Sequence, residues 1–162
     1  MFSPSPRSLA AIVAAMCAPA LTAQQTGQWV AVPVNVKPPA RANFTLTPFP
    51  DNPGVPGQRD SLLLFGGDPA NPNATEWLWN GIEWSPLTTP VPRRAAPAVA
   101  MLTDGDLMVF GGSLAGGVPT FDTWVLHNGA WSVVNTTSTP VLTTGLAMIP
   151  DNDGGAVLIG SL

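Results

Sequence analysis

The sequence predicts an all-β protein, and three observations carry that prediction. With 19 prolines and 16 glycines in 162 residues, no stretch after the N-terminal segment leaves a long helix uninterrupted. Short apolar runs bounded by turn residues read as strands instead, as at Leu62-Leu63-Leu64-Phe65 followed by Gly66-Gly67. These runs also recur at a nearly constant spacing, which marks a repeat architecture.

The repeat has three elements. Leu62–Gly67 returns 45 positions later as Leu107-Met108-Val109-Phe110-Gly111-Gly112, and again, weakened, as Ala156-Val157-Leu158-Ile159-Gly160-Ser161. Glu76-Trp77-Leu78-Trp79-Asn80-Gly81-Ile82-Glu83-Trp84 corresponds to the stretch from Asp122 to Trp131. In both copies two tryptophans stand seven apart with an Asn-Gly between them, a hairpin signal because a type I′ turn needs positive φ at both central residues. The third element precedes each apolar run. Pro92-Arg93-Arg94 to Met101 parallels Pro39-Ala40-Arg41 to Leu46, and residues 143–149 fill the slot in the last copy. Thr26-Gly27-Gln28-Trp29-Val30 reads as the tail of an earlier copy.

Each full unit therefore reads as four short strands, about 94–102, 106–110, 122–127 and 130–134 in the best copy. A repeat of about 40 to 50 residues with four strands indicates a propeller blade. The diglycines Gly66-Gly67 and Gly111-Gly112 follow a buried strand where the backbone bends close to a neighbour. Trp77, Trp84, Trp124 and Trp131 recur in every complete copy, which assigns them to the gap between adjacent sheets rather than to a carbohydrate-stacking platform.

An apolar strand ending in Gly-Gly, then a strand with an aromatic residue and a later Trp, resembles the kelch repeat. The Asp-Thr-Trp…Asn-Gly-x-Trp form is similar to kelch-type proteins exported by bacteria, and the resemblance covers residues 26–162. It implies a fold like the central domain of galactose oxidase. The copper oxidases of that group use a tyrosine–cysteine cofactor with histidine ligands, and sialidase-like propellers a tyrosine nucleophile. This chain has no tyrosine, and its single cysteine is Cys17, so neither chemistry is expected and no cofactor is assigned.

Propellers close with about 4 to 8 blades, and two complete units plus partial ones at each end do not close a ring. The expectation is an N-terminal piece of a longer protein; the alternatives are a ring completed by oligomerisation or a compact stack. Open blade edges, at residues 28–32 and 155–159, are expected to self-associate.

Residues 1–23 read as a secretory signal peptide, with Arg7 in a short n-region, an apolar run from Leu9 to Met16, and small residues up to Ala23. The mature domain is 24–162, and the expected location is extracellular, periplasmic or cell-surface. A net charge of -4 with 10% charged residues offers no basic stripe for phosphates, so a nucleic-acid partner is excluded. No segment is long enough to span a membrane.

Candidate chemistry is sparse. Acid–base work could use Glu76, Glu83 or an arginine, with Glu83 read as a solvated turn carboxylate. His127 stands beside a turn without a second histidine to share a metal, and Asp151-Asn152-Asp153-Gly154 fails the spacing of a calcium loop and reads as a turn. Asn43, Asn73 and Asn135 head glycosylation sequons. Arg41, Arg93 and Arg94 recur just after a proline. A structural contact to the neighbouring blade is favoured for them, and an arginine ring facing an anionic ligand is the alternative. The expected function is a non-catalytic module binding protein or glycan through loops such as 68–75 and 113–121. The alternative is a fragment of a carbohydrate-active propeller enzyme, a sugar epimerase or oxidase-like.

Overall fold

Continuous apolar runs such as Leu62-Leu63-Leu64-Phe65 produce strands buried on both faces in the first sheet. The computed structural model describes residues 22–25, 28–49, 61–67 and 76–162. The expected leader therefore lies outside the described residues except for Thr22 and Ala23, as do Cys17, the 68–75 loop and Asn73.

Two sheets have four antiparallel strands. The first orders β3 (Phe44–Pro48), β4 (Leu62–Gly66), β5 (Glu76–Trp79) and β6 (Trp84–Leu87). The second repeats this with β7 (Ala98–Met101), β8 (Leu107–Phe110), β9 (Thr123–His127) and β10 (Ala130–Val134). Before them, β1 (Thr22–Gln25) and β2 (Gln28–Ala31) form an antiparallel hairpin, the last half of an earlier unit. After them, β11 (Thr144–Pro150) and β12 (Ala156–Ser161) form the first half of a later one. Residues Gln28–Ala31 pair with β1 along one edge.

The register preserves the repeat. Leu64 pairs with Trp77 and Val109 with Trp124, so the two tryptophans occupy equivalent places. Strand β7 packs beside β3 on one side and β11 on the other. The first strands of successive units therefore lie side by side, as blades do around an axis. They line an open groove of about 420 Å³ whose walls include Leu46, Val99, Met101, Leu146 and Met148 and carry no titratable side chain.

One core lies between the two four-stranded sheets. Leu63 and Phe65 of the first sheet meet Leu107, Val109 and Leu126 of the second, with Trp124 and Trp131 packed against them. Phe65 and Trp131 rings sit 6.2 Å apart at a tilted angle. A second cluster covers the other face of the first sheet, where Leu64, Trp77, Trp79 and Trp84 pack with Val34 and Phe44. Trp124 and Trp131 thus fill the space between the two sheets, while Trp77, Trp79 and Trp84 are buried on the first sheet's other face.

Local chemistry departs from the expected pattern at two places. The first strand of the second sheet begins at Ala98 and not near 94, because Arg94 to Pro97 form an arginine-anchored loop. The two Asn-Gly pairs also make different turns. Asn128 and Gly129 both have positive φ (48° and 79°) in a two-residue loop, the expected type I′ form. Asn80-Gly81 stands one residue nearer its first tryptophan, so the β5–β6 loop has four residues. There the Asn80 side chain accepts from the backbone of Ile82 and Glu83 at 3.0 and 2.9 Å.

Candidate functional site

The repeated arginine is the feature from which the site is built. The end of the second strand, the start of the third and the entry to the first strand meet at one end of each sheet. In the first sheet this end carries the Phe44–Gly66 pair of β3 and β4 and the Glu76–Leu87 pair of β5 and β6, and in the second the row Ala98, Phe110, Thr123 and Val134. Arg41 and Arg94 enter this end from equivalent loops. Each donates Nε–H to the carbonyl two residues back, Pro39 or Pro92, at 3.4 and 2.9 Å. Each also donates from Nη1 to the first glycine of the diglycine, Gly66 or Gly111, at 3.2 and 3.0 Å.

This explains the diglycine. Gly66 and Gly67 have φ of 77° and 85°, and a Cβ on either would stand 2.8 Å from a backbone carbonyl, of Arg94 and Ala42 respectively. At Gly112 the clash would be 2.6 Å, with Ala95 O. The chain turns here with its carbonyls aimed at a guanidinium, and only glycine fits both demands.

In the second sheet the arginine gains a carboxylate. Arg94, 1% exposed, binds Asp122 through two parallel hydrogen bonds, Nη1 to Oδ1 at 2.7 Å and Nη2 to Oδ2 at 3.0 Å. Asp122 also accepts from Thr120 Oγ1 at 2.7 Å and Trp124 Nε1 at 2.6 Å. Burial pushes its carboxyl up, but the hydrogen bonds from Arg94, Thr120 and Trp124 and the arginine's charge outweigh this and hold it well below the usual carboxylate range. Every oxygen is occupied, so the group is a fixed anion with no lone pair directed at a substrate.

The first sheet places a different carboxylate at its end. Glu76 is buried at the start of β5. Burial raises its pKa above the ordinary value, opposed by its own backbone N–H, the Thr89 hydroxyl and the positive charges of Arg41 and Arg93. A buried carboxyl with a raised pKa beside two arginines is what acid–base chemistry requires, and equally what a strained structural pair looks like.

Among the candidates named from the sequence, Arg41 and Arg94 are buried and occupied by backbone carbonyls. The contacts these guanidinium groups make are to the chain's own carbonyls and, for Arg94, to Asp122. Arg93 is exposed at the same end and acts on Glu76. Glu83 is exposed in the β5–β6 loop. The Asp151 segment is a turn, its Oδ1 accepting from Asp153 and Gly155 backbone N–H, and Asp104 does the same for Asp106. Thr45 of the first sequon donates to Pro97 O at 2.8 Å.

Two features escaped the sequence. Asp122 carried a signal, because an acid directly precedes the Thr-Trp of one copy while Thr75 stands there in the other. The second is the contact of His127 with Asp106, Nδ1 to Oδ1 at 2.8 Å across two neighbouring hairpin tips. That juxtaposition follows from β8–β9 pairing and has no local marker.

No family model matches the sequence, and no curated protein matches it. Among solved structures, a fungal alcohol oxidase of the AA5 family, in complex with copper, is similar with a TM-score of 0.48 and 12% identity. The match covers 68% of this chain and 25% of that one, so this chain spans about a quarter of the oxidase's length.

Proposed function

We propose that the chain is an exported, non-catalytic kelch-type module that recognises protein or glycan through its blade loops. The observation that carries this reading is the β8–β9 loop. Both its ends are clamped by Arg94, through Gly111 O and the Asp122 carboxylate. Its interior is braced by Leu114 N–H to Val118 O at 2.8 Å, Thr120 N–H to Gly112 O at 2.9 Å, and Ser113 bridging Ala95 and Pro119. The tip, Ala115 to Pro119, is exposed, uncharged and partly apolar. A pre-organised loop on a rigid sheet loses little entropy on binding, which suits recognition of neutral surfaces.

The test is binding to a glycan array and to purified candidate surface proteins, comparing the chain with Val118→Asp. The reading expects the variant to lose binding while its melting temperature is unchanged. Binding that survives both Val118→Asp and Leu114→Asp would place recognition elsewhere and sink the proposal.

A second reading, part of a carbohydrate-active enzyme, draws support from Glu76 with Arg41 and Arg93 alone. Sugar epimerisation that vanishes in Glu76→Gln with the fold intact would favour it over the binding module.

A further inference from the structure

The two Asn-Gly turns surround their carboxamides differently. At Asn80 the side-chain oxygen accepts from the backbone N–H of Ile82 and Glu83 at 3.0 and 2.9 Å, so two hydrogen bonds hold the group in place. At Asn128 it is the side-chain nitrogen that is engaged: Nδ2 lies 2.9 Å from His127 Nε2. The other ring nitrogen, Nδ1, lies 2.8 and 2.9 Å from the two oxygens of Asp106 on the adjoining β7–β8 tip. A carboxylate only accepts, so Nδ1 carries a proton, and in the neutral ring Nε2 accepts from Asn128 Nδ2. A second proton on the ring sits on Nε2, beside the amide nitrogen of Asn128, with the Asp106 carboxylate to stabilise the charge. His127 to Ala130 are all exposed, and a Cβ on Gly129 would meet nothing within 4 Å, so this turn can rotate without displacing a packed neighbour.

We propose that Asn128 is a self-modifying site, where His127 and Asp106 promote loss of the side-chain amide to give aspartate and isoaspartate. The Gly129 backbone nitrogen attacks Asn128 Cγ, forming a C–N bond and releasing its proton to water. Glycine suits this step because no Cβ crowds the attacking nitrogen. The carbonyl electrons move onto Oδ1, and Nδ2 becomes basic. Nδ2 then takes the proton from His127 Nε2 and leaves as ammonia while the carbonyl re-forms, closing a five-membered succinimide. Water opens that ring at one carbonyl or the other, giving aspartate or isoaspartate, and His127 regains its proton from solvent. One water is consumed and one ammonia released, with no change of oxidation state. His127 is the general acid, and Asp106 positions it and stabilises its charged form. The isoaspartyl product adds a backbone carbon to a two-residue loop, and both products add a negative charge beside Asp106.

The experiment is incubation of the full chain near neutral pH, with peptide mapping by mass spectrometry to follow the amide-to-acid change at Asn128 and Asn80 in the same molecule. Folded wild type is expected to convert Asn128 about tenfold faster than Asn80, whose two hydrogen bonds must break first. In urea the two rates should approach one another. His127→Ala should slow Asn128 about tenfold or more and leave Asn80 unchanged. A merely structural histidine predicts the opposite sign, since loosening the turn would speed conversion. Asp106→Asn keeps a hydrogen-bonding partner but removes the charge, and should also slow Asn128. The Asn80 rate reports on folding in every variant, because unfolding would raise it. Equal rates at Asn80 and Asn128 in the folded wild type would overturn the proposal. So would an inert Asn128 in a folded chain whose unfolded form converts, or a rate at Asn128 that is unchanged or raised in His127→Ala or Asp106→Asn.

Discussion

The two complete sheets share an arginine, a diglycine and a pair of tryptophans, yet they finish the same end differently. In the second, Arg94 closes on an ionised, fully hydrogen-bonded Asp122, and Trp124 donates to the same carboxylate. In the first, Arg41 donates to the Pro39 and Gly66 carbonyls at 3.4 and 3.2 Å, and Glu76 is a buried acid whose pKa is raised. Trp77 Nε1, equivalent to that of Trp124, is buried without an acceptor among the described residues. The difference teaches that the repeat encodes the backbone bend and its arginine, while the carboxylate is a separate addition that turns one copy into a rigid clamp.

Removing the arginine should separate the copies most. Arg94→Met leaves Asp122 partly buried without its cation, and breaking such pairs costs about 3–5 kcal/mol, with the lower end expected because Asp122 is 28% exposed. Arg41→Met removes hydrogen bonds to the Pro39 and Gly66 carbonyls and a positive charge near Glu76, and should cost less, about 1–2 kcal/mol. Urea midpoints of the two variants measure this, and equal losses would erase the distinction. A glycine pair probes the bend itself. Gly112→Ala meets Ala95 O at 2.6 Å and should cost several kcal/mol, whereas Gly105→Ala, with nothing within 4 Å, should cost only the left-handed strain of about 1–2 kcal/mol.

Acid should act on the two carboxylates in opposite directions. Asp122 has a folded pKa below its ordinary 3.8, so its stabilisation is present above that value and is lost as pH falls below it. Glu76 has a folded pKa above 4.5, so the fold favours its protonated form, and stability declines as pH rises through 4.5 towards the folded value. Stability against pH should therefore rise on acidification towards about 4.5 and fall again below 3.8. Glu76→Gln should remove the first slope and Asp122→Asn the second. A variant that alters the other's limb would show that the sites are coupled.

Much of this was legible in the residues. The period placed every strand of the two complete sheets, because burial between sheets forces the same apolar run each time. The slot after Pro39 and Pro92 marked Arg41 and Arg94 as equivalent, and both donate to the first glycine of a diglycine. The sequence could not show which residues close across the sheet. Asp122 is 28 positions from Arg94, and Thr89 and Arg93 reach Glu76 only through the β6–β7 connection. The Asn-Gly signal misled at Asn80, where a seven-residue tryptophan spacing concealed a one-residue shift of the turn.

The smallest expected effect lies at the opposite end of the second sheet and calibrates the rest. His127 Nδ1 and Asp106 Oδ1 are 2.8 Å apart, as close as Arg94 and Asp122, but the imidazole is 65% exposed. Distance alone would rank the two pairs together. Burial separates them, because water screens an exposed pair and competes for its hydrogen bonds, leaving about 0–1 kcal/mol. His127→Ala should therefore move the urea midpoint by less than a third of the Arg94→Met shift. Should His127→Ala cost as much as Arg94→Met, contact distance would govern these pairs, and the contrast between the two sheets would need a cause other than the burial of their arginines.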